Sequence, residues 1–122
     1  MKIQEAQIII EDQFLDIVIE ILKPSPEKIR LILKDKSFID IRLSRNIENR
    51  FDFHWERTHI DNAIYRYDNF PDNKFKKLKT FPFHFHFQKE NKVVASPFAK
   101  TLPKAFVDFM EFVRQEIGKK VG

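Results

Sequence analysis

Phenylalanine occupies every odd position from Phe81 to Phe87, and His84 and His86 sit between the last three of them. Successive side chains leave a β-strand on opposite faces, so a period of two predicts a strand here. Phe81, Phe83, Phe85 and Phe87 then face one way. His84 and His86 face the other, about 7 Å apart along the strand. Four phenylalanines demand cover, and two imidazoles demand water or polar partners. The segment predicts a sheet with one covered apolar face and one wet face that carries chemistry.

The rest of the chain is read around that strand. Residues 4–22 carry Ala6, Ile9, Ile10, Phe14, Ile17, Val18 and Ile21 at spacings of three and four, which predicts an amphipathic helix ended by Pro24. The β-branched residues at 8–10 and 17–19 leave a strand as the minority reading for part of it. Lys28–Lys34 and Ser37–Ser44 alternate as two strands around Asp35-Lys36, followed by strands near 50–56, 62–68 and 81–88, with a short sixth at 92–95. A basic irregular loop separates Pro71 from Thr80. Pro103 opens a closing helix with Phe106, Phe109, Met110, Val113 and Ile117 on its apolar side and Gly118 at its end. The predicted class is α+β: a single antiparallel meander of about five to six strands, with N- and C-terminal helices packed on one face, in one domain spanning 1–122.

Composition narrows the function classes. With 122 residues and 43% hydrophobic content, the chain suffices for one core. The absence of cysteine excludes disulfides and thiolate zinc sites. Only two glycines occur, both near the C-terminus, so no glycine-rich phosphate loop exists. Acidic residues interrupt the apolar N-terminus, which predicts neither a signal peptide nor a membrane span and points to the cytoplasm. A net charge of +4, with Lys74, Lys76, Lys77 and Lys79 close together, permits a polyanionic partner without requiring one.

Pairing like face with like sets His54 opposite Arg66, Asp52 opposite Asp68, Phe53 opposite Tyr67 and Trp55 opposite Tyr65. One face then displays Arg30, Arg42, His54, Arg66, Asp68, His84 and His86. The other buries Leu31, Ile41, Phe53, Trp55, Tyr67, Phe83 and Phe85. Imidazoles beside arginines and a carboxylate can work on a phosphodiester: one takes the attacking hydroxyl's proton, another protonates the leaving oxygen, and an arginine holds the phosphoryl charge. An RNA 2′-hydroxyl as internal nucleophile needs no metal, so a metal-independent endoribonuclease with catalytic His54, His84, His86, Arg66 and Asp68 is one reading. Arg30, Arg42, Lys74, Lys76, Lys77 and Lys79 are the candidate RNA contacts, and no metal or cofactor is assigned.

Plainer readings stand beside it. The two strand histidines can be ordinary half-exposed residues, Arg66 and Asp68 a surface ion pair, the lysine run a solvated loop, and His59 an exposed loop residue. A His-X-His pair on a strand can also hold Zn²⁺ or Mn²⁺ with His54 or Asp68 as third ligand. A non-catalytic module binding nucleic acid or protein through the basic loop and polar face is the alternative function.

Phe53-His54-Trp55, Tyr65-Arg66-Tyr67-Asp68-Asn69-Phe70-Pro71 and Phe81-Pro82-Phe83-His84-Phe85-His86 together resemble the signature of TumE-like toxins. The family pattern has a Tyr/Phe-x-His-Trp strand, an Arg-x-Asp-Asn-x-Pro strand end and a Phe-Pro-His-His-x-His segment, and its Asp-Gly-Ser turn has a counterpart in Asp35-Lys36-Ser37. The resemblance covers roughly residues 30–115 and is sharp between 53 and 86. It implies the toxin of a type II toxin–antitoxin module, neutralised by a cognate antitoxin that is often DNA-binding; a homodimer is compatible. The polar signature falls on His54, Trp55, Arg66, Asp68, Asn69, His84 and His86. The chain departs from the pattern at Lys36, where the family has glycine, and at Asp72 and Phe83, where it has histidine.

Overall fold

The computed structural model describes residues 1–121, with side chains to Lys119; Gly122, included in the expected domain, lies outside the described residues. The chain forms α1 (Ile3–Gln13), β1 (Val18–Ser25), β2 (Lys28–Leu33), β3 (Phe38–Leu43), β4 (Phe51–Arg57), α2 (Thr58–Asp61), β5 (Ala63–Asp68), β6 (His84–Gln88), β7 (Val93–Ala95) and α3 (Lys104–Val121). A 3-10 turn at Asn73–Phe75 interrupts the loop between β5 and β6. The strands make a seven-stranded sheet in the order β1 to β7, every neighbouring pair antiparallel.

The seventh strand is a correction, and it comes out of the expected N-terminal helix. That helix stops at Gln13, and residues 18–25 pair with β2. The helical spacing was real for Ala6, Ile10 and Phe14, all fully buried. Beyond them Val18, Ile19 and Ile21 prefer a pleated surface, and an open sheet edge supplies the hydrogen bonds they need. Pro24 fits because β1 is an edge strand with register shifts at both ends. At the other end, Gly118 does not stop α3, which runs on to Val121; a Cβ at Gly118 would meet open space.

The β4–β5 register is the expected one: His54 faces Arg66, Asp52 faces Asp68, Phe53 faces Tyr67 and Trp55 faces Tyr65. On the core side, Phe53 packs on Phe106 and Phe109, while Trp55, Tyr65 and Phe85 each meet Phe112. The expected α3 face is fully covered. Arg114 of α3 binds Asp16 at 2.9 Å, donates to the Gln13 carbonyl and lies over the Phe14 ring, tying the two terminal helices together.

Turn chemistry anchors the sheet near β3. Trp55 Nε1–H donates to Ser37 Oγ at 2.9 Å, and that hydroxyl donates to Asp35. Arg57, 2% exposed, is held by Asp35 and Asp61 and lies over the Trp55 ring. His59 is exposed as expected, but its Nε2 contacts the Lys36 carbonyl at 2.7 Å.

Candidate functional site

Asp68 ends β5 and, on the neighbouring strand, lies directly opposite His84; His86 lies opposite Arg66. Because β6 alternates, both imidazoles leave the sheet on Asp68's side. His84 Nε2 stands 3.0 Å from Asp68 Oδ1, and His86 Nε2 stands 3.7 Å from Oδ2. The other ring nitrogens are anchored on backbone carbonyls: His84 Nδ1 to Pro82 at 3.0 Å and His86 Nδ1 to Glu90 at 2.8 Å. A carbonyl only accepts, so both Nδ1 atoms carry the proton and both Nε2 atoms point at the carboxylate. The Phe70 N–H orients Asp68 further, at 3.1 Å from Oδ1.

The wet face expected around the histidines is dry at this point. Asp68, His84 and His86 are 2%, 3% and 6% exposed. The cause is the basic loop, which folds back so that the Phe75 ring lies 4.8 Å from the His84 ring and 6.1 Å from that of His86. Loop closure also shortens β6: Phe81–Phe83 form a turn rather than strand, with Phe83 N–H on the Thr80 carbonyl.

Burial alone would raise the Asp68 pKa, but hydrogen bonds from His84 and His86 outweigh it and hold the carboxyl well below its usual range. Burial likewise pushes the His84 imidazole down, and the Asp68 hydrogen bond and charge override that and raise it. Both His84 nitrogens are thus occupied, Nδ1 by the Pro82 carbonyl and Nε2 by Asp68.

A cavity of about 570 Å³ opens over this cluster, with Phe70, Phe75, Asp72, Lys74 and Glu90 in its walls. Lys76, Lys77 and Lys79 are exposed on the same loop, and Lys74 lies 3.8 Å from Asp72. Arg66 is half-buried, its guanidinium forked onto Asp52 at 2.8 and 3.0 Å and 3.5 Å from both Asp68 and Glu90. His54 stands apart: two strand spacings, roughly 10 Å, separate it from β6. It lines a neighbouring depression of about 350 Å³ with Arg30, Arg42 and Asp40, and its Nε2 lies 3.2 Å from Glu56. Arg30 is forked onto Asp40 at 2.7 and 2.9 Å. Arg42 is exposed and has no ion pair among the described residues.

The structure therefore brings Asp68, His84 and His86 together, sets Arg66 at their edge and leaves His54 outside. Glu90 and Phe75 were missed by sequence reasoning. A lone phenylalanine in a run of lysines was the available signal for Phe75; Glu90 had none. Phe83 packs towards Phe51 and Tyr67 on the core side, so a histidine there would not have joined the cluster. Asp72 does border the cavity, where it caps the 3-10 turn through Lys74 N–H at 3.0 Å.

Comparison with known families decides the assignment: the family described as toxin TumE matches residues 4–117. The chain belongs to the TumE toxin family. It is the toxin of a toxin–antitoxin pair, and an antitoxin is its implied partner. No curated protein and no solved structure matches it. Among the described residues of this TumE-family chain, no helix is long and apolar enough to cross a membrane.

Proposed function

We propose that this TumE-family toxin disables RNA, cleaving it in the cavity over Asp68, His84 and His86. The observation that carries the reading is convergence: two imidazoles and one carboxylate meet at the floor of an open cavity whose wall continues into a lysine-rich loop. Phe70, 46% exposed, stands between this cavity and a second one of about 430 Å³ that holds Lys28, Arg42 and Arg50. Lys28 is paired with Asp40, but Arg42 and Arg50 have no ion pair among the described residues, and Arg50 lies over the Phe70 ring at 5.0 Å. An exposed ring beside such cations suits a stacked base and its phosphate. Internal attack by a 2′-hydroxyl on the adjacent phosphorus forms a 2′,3′-cyclic phosphate and breaks the bond to the 5′-oxygen, which takes up the hydroxyl's proton, so no outside nucleophile is required.

The two-histidine proton relay read from the sequence loses support, because His84 has neither nitrogen free and His54 lies a strand too far. The same occupied nitrogens favour one second reading, a toxin that binds RNA or protein without cutting it. Its contacts would be the loop lysines and Arg42, since Arg30 and Arg66 are already neutralised.

The test is purified, tag-free protein with total cellular RNA, beside His86→Ala and a Lys76→Glu/Lys77→Glu variant. Loss of discrete cleavage products in H86A, with the far-UV spectrum unchanged, supports cutting at this cavity. Intact RNA throughout, with growth arrest surviving H86A but abolished by the charge reversal, would replace it with the binding reading.

A further inference from the structure

We infer that Asp68, His84 and His86 are the protein ligands of one divalent transition-metal ion of the Zn²⁺ class. The inference goes beyond the RNA reading, and its measurement needs no RNA. Three observations carry it.

The first is orientation. A metal-bound histidine presents one nitrogen to the ion and donates the other N–H to a carbonyl or carboxylate, which sets its tautomer and raises its basicity. His84 and His86 both do this, on Pro82 and Glu90, with both Nε2 atoms directed inward. Asp68 is anchored in the same manner by the Phe70 N–H.

The second is distance. One ligand atom from each residue lies within 4.8 Å of the others. Ligands held about 2.1 Å from an ion stand up to about 4.2 Å apart, so small side-chain rotations close the set around a metal. Two imidazoles and one carboxylate form a borderline donor set that suits zinc and its neighbours.

The third is access. The ligands are nearly fully buried, yet the cavity over them is open. Three protein ligands and a vacant side are what a reactive site keeps, whereas structural sites close the fourth position with protein. Two cations border the cavity, and both face carboxylates: Arg66, 3.5 Å from Asp68, is matched by Asp52, and Lys74 lies 3.8 Å from Asp72, while Glu90 adds a further carboxylate at the cavity wall.

The experiment is calorimetric titration of tag-free full-length protein, stripped with EDTA and dialysed, with Zn²⁺. One ion per chain is expected, with a thermal midpoint that rises with free Zn²⁺. Affinity should fall in H86A by more than the tenfold to hundredfold typical of losing an outer-shell partner, and should be unchanged in H54A. Should H86A fail to fold, nitrogen NMR of the wild type supplies the readout. Zn²⁺ should shift the Nε2 resonances of His84 and His86 and leave both Nδ1 sites protonated. No uptake, or uptake that H54A abolishes and H86A retains, overturns the inference. Metal uptake without RNA cleavage would keep it and remove the RNA reading; cleavage by protein held in EDTA, with no uptake, would do the reverse.

Discussion

Lys36 shows how one residue records a departure from a family pattern. It occupies the left-handed region, at φ 76°, in a turn where the family pattern has glycine. A side chain there costs about 1–2 kcal/mol, because Cβ crowds the following carbonyl. The turn is retained because Asp35 accepts from Ser37 N–H and Oγ–H, and Ser37 accepts from Trp55. Lys36→Gly should therefore stabilise the protein by about 0.5–1 kcal/mol after the entropy of glycine is deducted. That corresponds to a rise of about 2–5 °C in the melting midpoint, read by calorimetry. An unchanged or lower midpoint would mean that the contact between the exposed Lys36 carbonyl and His59 already relieves the strain.

At the scale of the element, the loop between β5 and β6 matters most for the site. Its lysines keep it in water while Phe75 turns inward onto the two imidazoles. The loop acts as a cover: its backbone–backbone hydrogen bonds from Asp72 to Phe83 are internal among the described residues. It is tied down by Phe75 on the two imidazoles, by the Pro82 carbonyl on His84 Nδ1 and by Thr80 Oγ1 accepting from Ser96 N–H. Phe75→Ala should cost about 1–2 kcal/mol, below the range for a fully buried phenylalanine, because Phe75 is half-buried. It should also speed diethyl pyrocarbonate modification of His84 and His86 several-fold. Unchanged reactivity would show that strand packing, not the loop, screens the rings.

Across the whole molecule, cations are set against carboxylates: Lys28 and Arg30 on Asp40, Arg66 on Asp52, Arg57 on Asp35 and Arg114 on Asp16. Arg114 is the main cause of the lowered Asp16 pKa. For Asp35 and Asp40, burial acts upwards, but hydrogen bonds from Ser37 and Arg57, and from Arg30, prevail and lower both. A carboxyl lowered on folding binds its proton less readily in the native state than in the unfolded one. Its contribution is therefore complete above the ordinary value of 3.8 and is lost as pH falls through the depressed value. Urea midpoints should hold between pH 6 and pH 5 and fall steeply below about pH 4. A flat profile to pH 3 would show that these pairs contribute nothing net, as many exposed pairs do.

Alternation was enough to place β2 to β6, orient their faces and set the β4–β5 register, because a one-residue slip would turn Phe53 and Trp55 into water. Family membership was legible in the same strands. Two things were decided only by tertiary structure. Residues 18–25 became a strand because β2 offered an open edge, a partner that local spacing does not encode. The histidine face became a buried site because Phe75, from a loop read as irregular, came to rest on it. Period-two patterning states which way a side chain points; whether water or another side chain meets it there depends on contacts distant in sequence.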